Sequence, residues 1–472
     1  MRTLVDQMIR SLMRQARWRS WLALTLFLLP GIGSRPAWGI PAFARKTGLR
    51  CSACHEAWPK LSPFGQMYKD NGFQIGNDRD APVYMSPYYW PIALRITPAW
   101  HDERDTATAT DQSATGTQPV STQGFDLSGM DILAEGTLSK DITFQLLPSS
   151  DEYGTFHFES AWVRFDNLLK STWLNVKMGK FELDNMISEK RILTLSAQGG
   201  LYQIYHYLPA IDASAYALVP LAAGETGVST TGFGLGDNQL GVEVMGHSKD
   251  DYTRYSVSVL SSSDGSVNLP TSNGYDVYLT GSQAFNLGSL GLQRVGGFGY
   301  VGQAPTRYLT QTTGGLSTVI PGSGYANKQF TRAGIFGLLY WKKLAVEPMF
   351  THATESADIA LGIPSNVGLA TGVRDPAWNG RMLELNYTPT LQFVVTGRYE
   401  DIRNTGQLFS ASRSNFGDLD AETIAARWYP FMTSRDGLAI HAEYSKVHQI
   451  GTSAIGSNQT NRSGYLGLDF AF

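Results

Sequence analysis

Cysteine is scarce in this chain: two among 472 residues, both inside Cys51-Ser52-Ala53-Cys54-His55. A zinc site would need a second ligand pair at comparable spacing, and a thioredoxin-like dithiol would need a βαβ surrounding; the sequence offers neither. Charged residues are also few, at 17 %. With no basic cluster among them, nucleic acid is not a partner. After the first forty residues no apolar run reaches the length of a transmembrane helix, and mean hydropathy is slightly negative, which excludes a helical membrane protein. No grouping of acid, base and nucleophile of the hydrolase kind stands out.

What is abundant is aromatic side chains, 12 % of residues, and glycine, with 49 copies. Tyr255, Val257 and Val259 alternate with Ser256, Ser258 and Leu260; Phe393, Val395, Gly397 and Tyr399 alternate with Val394, Thr396, Arg398 and Glu400. Period-two alternation of this kind is the signature of a strand with lipid on one face and a wet lumen on the other. Such runs recur near 91–102, 125–138, 141–148, 156–167, 172–181, 236–246, 252–261, 275–285, 290–302, 328–341, 343–352, 378–388, 391–402, 420–430, 437–448 and 463–472. Their number predicts an all-β fold, a transmembrane barrel of about sixteen strands. The stretch 190–220 has room for a further pair. Thr/Ser/Gly-rich segments at 104–123, 221–235 and 303–327 read as long external loops. Ser139-Lys140 and Lys342 read as short periplasmic turns. A soluble β-sandwich shows the same alternation, but at this length it would be divided among domains.

The amino-terminal region divides into a basic stretch (Arg2, Arg10, Arg14, Arg17, Arg19), an apolar core from Trp21 to about Ile32, and small residues at Ala37 and Gly39. This is the pattern of an export signal over residues 1–39, with a core too short to anchor the chain in a bilayer. The whole chain has a formal net charge of −3; without 1–39, whose six arginines outnumber one aspartate by five, the charge is about −8.

In an exported chain, C-x-x-C-H reads as the attachment sequence of one covalent haem c, with Cys51 and Cys54 as thioether positions and His55 as the proximal iron ligand. Residues 40–88 then form a monohaem cytochrome segment, and 89–472 the porin-like barrel. The segment is too short to wrap a haem by itself. Trp58, Leu61, Phe64, Met67 and Tyr68 form an apolar stripe at helical spacing, with Gly72 as its stop and Pro59 and Pro63 confining the helix to its later part. The expectation is therefore a short α-helical plug at the periplasmic mouth or in the lumen. Met67, Met85 and His101 are candidates for the distal ligand, Met67 because it lies on that stripe. Asp102, Glu103 and Asp105 could attract a cation, although solvated loop charge is the plainer reading.

The stretch Pro41-Ala42-Phe43-Ala44-Arg45-Lys46-Thr47-Gly48, followed by Cys51 to His55, Pro59-Lys60-Leu61, Phe64-Gly65 and Asn71-Gly72-Phe73, resembles the opening of the fused monohaem cytochrome c–porin family of the bacterial outer membrane, which includes iron-oxidising cytochromes. Tyr68 and Phe73 depart from the residues usual there but stay aromatic. The carboxyl end, with Leu466, Leu468, Phe470 and Phe472 on one face, looks like the assembly signal of outer-membrane proteins. Met178-Gly179-Lys180-Phe181-Glu182, with Ser188-Glu189-Lys190-Arg191, looks like the strand and inward loop of phosphate-selective porins. The resemblance implies an electron conduit, passing electrons one at a time from extracellular Fe(II) or another donor through the haem to a periplasmic c-type cytochrome, as an Fe(II)-oxidising cytochrome c would. The alternative is a porin-type solute or anion channel with an accessory haem plug. Either protein would sit among outer-membrane lipid.

Overall fold

Sixteen of the alternating segments become sixteen antiparallel strands that close on themselves. The computed structural model describes residues 43, 46–47, 49, 51–57, 60–75, 92–109, 117–150, 155–186, 203–207, 225–228, 234–261, 274–306, 308–313, 316–324, 326–361, 365–366, 374–406, 417–432, 437–450 and 458–471. The expected signal over 1–39, and Trp58, Pro59, Met85 and Ser188–Arg191, lie outside them. Trp38–Phe472 forms one compact unit.

In chain order the barrel strands are β1 (Ile92–Ala109), β2 (Thr117–Ser139), β3 (Ile142–Ser150), β4 (Phe156–Phe165), β5 (Asn175–Glu182), β6 (Asn238–His247), β7 (Thr253–Ser261) and β8 (Tyr275–Asn286). Then follow β9 (Leu292–Pro305), β10 (Asn327–Trp341), β11 (Leu344–Thr354), β12 (Ala377–Thr390), β13 (Phe393–Gly406), β14 (Leu419–Met432), β15 (Gly437–Gln449) and β16 (Gln459–Ala471). Each pairs with its chain neighbours, and β16 returns to β1 with Leu466 opposite Trp100 and Phe470 opposite Ile96. Closure removes every sheet edge, which is what lets strands cross a bilayer. Among the described residues no helix is long and apolar enough to cross. Sixteen strands enclose an interior wide enough for an aqueous channel.

The direction of each face follows from the alternation. On β7, Val257 and Val259 are exposed while Arg254, Ser256 and Ser258 are buried; on β16, Leu466 and Leu468 point out while Asp469 points in. Apolar outside and polar inside is the inversion of a soluble protein and the arrangement of an outer-membrane β-barrel. Tight turns join strands at one end, with left-handed backbone at Asp141 (φ 60°), Asn167 (φ 51°) and Lys342 (φ 56°). That end is the periplasmic one by the usual asymmetry of turns and loops.

Two expectations change. The Thr/Ser-rich stretch 104–123 is largely strand, because β1 and β2 continue together to Ala109 and Thr117; threonine has strand propensity without apolar character, so the run carried no alternation to read. Segments 221–235 and 303–327 contain a separate three-stranded sheet, Glu225–Val228, Tyr308–Thr313 and Leu316–Val319. Most of 190–220 lies outside the described residues; among those described, β5 pairs directly with β6, Asn175 opposite Met245.

Candidate functional site in the barrel interior

Ahead of the barrel, Cys51–Cys54 makes one helical turn, α1, and His55–Ala57 pairs with Lys60–Leu61 as a small hairpin. Then α2 runs from Pro63 to Asp70. Ser62 caps α2, its Oγ accepting from the Gly65 N–H at 3.1 Å, and Pro63 occupies the first turn, where its missing N–H costs nothing. The Ser62 N–H also donates to the Cys54 carbonyl at 2.9 Å. A side chain at Gly65 would put Cβ 1.9 Å from that carbonyl oxygen, so only glycine lets α2 meet the α1 turn here. Gly72, at φ 75°, ends the helical region.

This segment is held by inward-facing side chains from five strands. Lys60 is paired with Glu347 on β11. Lys69 lies 3.4 Å from Glu182 at the end of β5. Arg164 on β4 donates to the carbonyl of Lys69 at 2.9 Å. Arg254 on β7 meets Asp70 at 2.9 Å, and Thr137 on β2 reaches the Gly72 carbonyl. Phe73 stacks on Trp162 of β4 at 6.4 Å. Lys60, Asp70, Arg164 and Arg254 are all at most 5 % exposed, so these are charges removed from water only as pairs.

Asp70 ends in a cluster. Burial raises the Asp70 pKa, but the Arg254 guanidinium, with help from His247 and Gln66, more than offsets this and holds it below the ordinary carboxylate range. Asp251, in the turn between β6 and β7, is pushed up to about 6 by burial, which outweighs the lowering by the same Arg254 and by Arg294. Asp184, 3.4 Å from Arg254, and His247 complete the set.

A second inward piece packs into the same buried cluster. Leu183 and Met186, just after β5, and Ile204 and Tyr207, at helix α3 (Gln203–His206), pack on Tyr278, Phe298, Tyr300, Phe330 and Trp378. Tyr278 donates to the Asp184 carbonyl at 2.8 Å and Tyr207 to that of Gly417 at 2.7 Å. Arg332 lies between the Phe330 and Trp378 rings, 5.3 and 5.2 Å from their centroids.

Of the sequence-predicted site residues, Cys51 and Cys54 bound the α1 turn and His55 follows directly, while Met67 lies on α2 and His101 on β1. The apolar stripe expected to cover a porphyrin packs on protein: Tyr68 meets Phe43 at 5.5 Å and Phe73 at 6.1 Å. Burial pushes the Cys54 thiol up to about 11, away from the activated thiolate. His55 opens the hairpin opposite Leu61, and Met67 lies half-buried in α2. His101 is on β1, its ring edge-on to Tyr465 at 4.8 Å. Among the described residues no three histidine, cysteine or carboxylate side chains gather as a metal-holding group. The reading as a fused monohaem cytochrome c–porin, with haem c on Cys51, Cys54 and His55, an iron-oxidation role and an electron-conduit function, is accordingly corrected to that of a porin-like barrel. The acidic trio lies within β1 and does not converge either: Asp102 is spent on Arg104 at 3.1 Å, and Asp105 accepts from Gln459. Sequence reasoning had passed over Lys60, Asp70, Arg164, Arg254 and Glu347. Only Lys60 fell within a motif, and nothing local marks which strand faces it.

No family model and no curated protein matches the chain. Among solved structures it is similar to a loop-deletion mutant of OmpT, an outer-membrane protein of Vibrio cholerae, at 11 % identity and TM-score 0.45 over 81 % of this chain and 100 % of that one. It is also similar to the outer-membrane channel DcaP of Acinetobacter baumannii, at 9 % identity and TM-score 0.45 over 80 % and 96 %. An anion-selective porin from Comamonas acidovorans aligns at 13 % identity and TM-score 0.45 over 81 % and 99 %.

Proposed function

We propose that this protein is a porin-type solute channel of the outer membrane whose lumen is narrowed by its own amino-terminal segment. Residues 1–39 act as the export signal, the segment within 40–88 as a plug, and 89–472 as the channel wall surrounded by lipid. The observation that carries the reading is the docking of the segment 60–73 onto inward-facing residues of β2, β4, β5, β7 and β11. A segment packed only against the barrel's outside or rim would meet apolar side chains. This one meets the polar, lumenal face. Sixteen strands leave a channel that such a segment can obstruct, and the piece carrying Leu183–Met186 and Ile204–Tyr207 narrows it further.

The test is conductance in planar bilayers. The full chain should show small or infrequent openings, and a chain lacking 43–75 should conduct steadily, at least about tenfold more. Equal conductance from the two would remove the plug; no conductance from either would remove the channel.

A further inference from the structure

On the inner faces of β11, β12 and β13 five buried side chains form one connected strip. Glu347 and Glu384 stand directly opposite each other in register. Asn386 bridges them, its Nδ2 donating to Glu347 Oε1 at 3.1 Å and to Glu384 Oε1 at 2.7 Å. Arg398 grips the other oxygen of Glu384 through Nε at 2.9 Å and Nη2 at 2.8 Å, and its Nη1 lies 4.0 Å from Glu400. The three glutamates are 0–1 % exposed. The strip thus carries three carboxylates and one guanidinium. Glu400 lies 4.0 Å from that guanidinium, which is already committed to Glu384, and among the described residues no cation of the wall pairs with Glu347.

The missing cation comes from elsewhere in the chain. Lys60, 2 % exposed, places its ammonium on Glu347, with Glu56 at 3.6 Å. A primary ammonium is therefore already bound at this strip, carried there by the hairpin of the amino-terminal segment. If that segment moves, Glu347 cannot stay buried and ionised without a substitute, because an unpaired carboxylate in such a place is strongly unfavourable.

We infer that the Glu347–Glu384–Glu400 strip is a recognition site for small organic cations bearing a primary ammonium or guanidinium group, and that Lys60 is a tethered competitor occupying it while the plug is docked. The inference rests on the channel reading for its function, but its binding step stands separately. A lumenal strip with excess carboxylate concentrates cations in the pore and excludes anions of similar size. The amide of Asn386 holds Glu347 and Glu384 in fixed orientation, so the site is organised before a ligand arrives.

The experiment uses the full-length protein in detergent, with 1,4-diaminobutane as the probe, titrated calorimetrically and then added to planar bilayers. Lys60→Gln, and Lys60→Met as a second variant that keeps the apolar stem, should bind diaminobutane at least about tenfold more tightly than the unaltered chain. In the bilayer the same variants should be blocked at correspondingly lower concentration. Adding Glu347→Gln or Glu384→Gln to Lys60→Gln should abolish the gain and reduce cation preference in the reversal potential. Absence of diaminobutane binding in both Lys60 variants overturns the inference, as does binding unchanged by the glutamine substitutions. If the Lys60 variants bind diaminobutane but no form of the protein conducts, the site stands and the channel reading is what fails.

Discussion

Two walls of the lumen carry buried charge in different ways. Around the β16–β1 closure, Arg95 pairs with both Asp131 and Asp469, and Arg427 pairs with Asp469 at 2.6 Å, so the wall balances itself with residues of its own strands. Across β11–β13 the wall is short of cations and takes Lys60 from a segment that is no part of the barrel. The first arrangement ties neighbouring strands where the chain's two ends of the barrel meet and would persist in an empty pore. The second is complete only with Lys60 in place. A self-balanced network is a structural device; one whose counter-charge comes from a separate segment is a docking site, and it can respond to whatever competes for it.

Predictions that would break or sharpen this contrast run from large to small. Arg427→Ala should be the most damaging: removing one partner of a buried pair typically costs about 3–5 kcal/mol. It should lower the temperature at which the barrel unfolds, read by loss of heat-resistant migration or by circular dichroism. Lys60→Ala also leaves a buried carboxylate unpaired, but its damage should fall on docking: more frequent openings, with barrel unfolding temperature unchanged. Were Lys60→Ala to destabilise the barrel as much as Arg427→Ala, the distinction between the walls would disappear.

Gly65→Ala comes next. With Cβ 1.9 Å from the Cys54 carbonyl oxygen, α2 or the α1 turn must move, at a cost of about 1–3 kcal/mol. Limited proteolysis should cut the amino-terminal segment faster while the barrel stays intact.

A pH response follows from the Asp70 cluster. Asp70 has a lowered pKa, so its contribution to docking is complete above the ordinary unfolded value of about 3.9 and is lost as pH falls through the lower folded value. Asp251 has the opposite sign: with its value raised to about 6, its protonated form is favoured, and docking weakens modestly as pH rises from about 4 to about 6. Gln66, Asp184, His247, Arg254 and Arg294 face these two carboxyls. Openings should therefore increase sharply below about pH 4, and Asp70→Asn should be open at neutral pH and lose that acid response. An identical acid response in Asp70→Asn would place the sensor elsewhere. The smallest effect belongs to Arg381→Ala: its guanidinium is on the outer surface, paired with Asp401 but largely exposed, and the change should cost no more than about 1 kcal/mol.

The barrel was legible because its rule is local. Val257 and Val259 point out because Ser256 and Ser258 point in, and that repeats wherever lipid and lumen lie on opposite faces of one strand. The α2 segment was legible too, from Pro63 at its start to Gly72 at its end. The 104–123 hairpin was not: Thr, Ser and Asp sit as readily in a wet strand as in a loop.

Sequence alone, then, determined the strand number, the sense of the faces and the turn-rich end, since each depends on neighbours one or two residues apart. Only the tertiary structure decided what the C-x-x-C-H segment packs against and which charges meet. Lys60 and Glu347 are 287 positions apart, and the hydrogen bond joining them exists because barrel closure and hairpin register set them on facing surfaces. No pattern along the chain records such a pairing, because burial of a charge is settled by the partner that arrives from across the lumen.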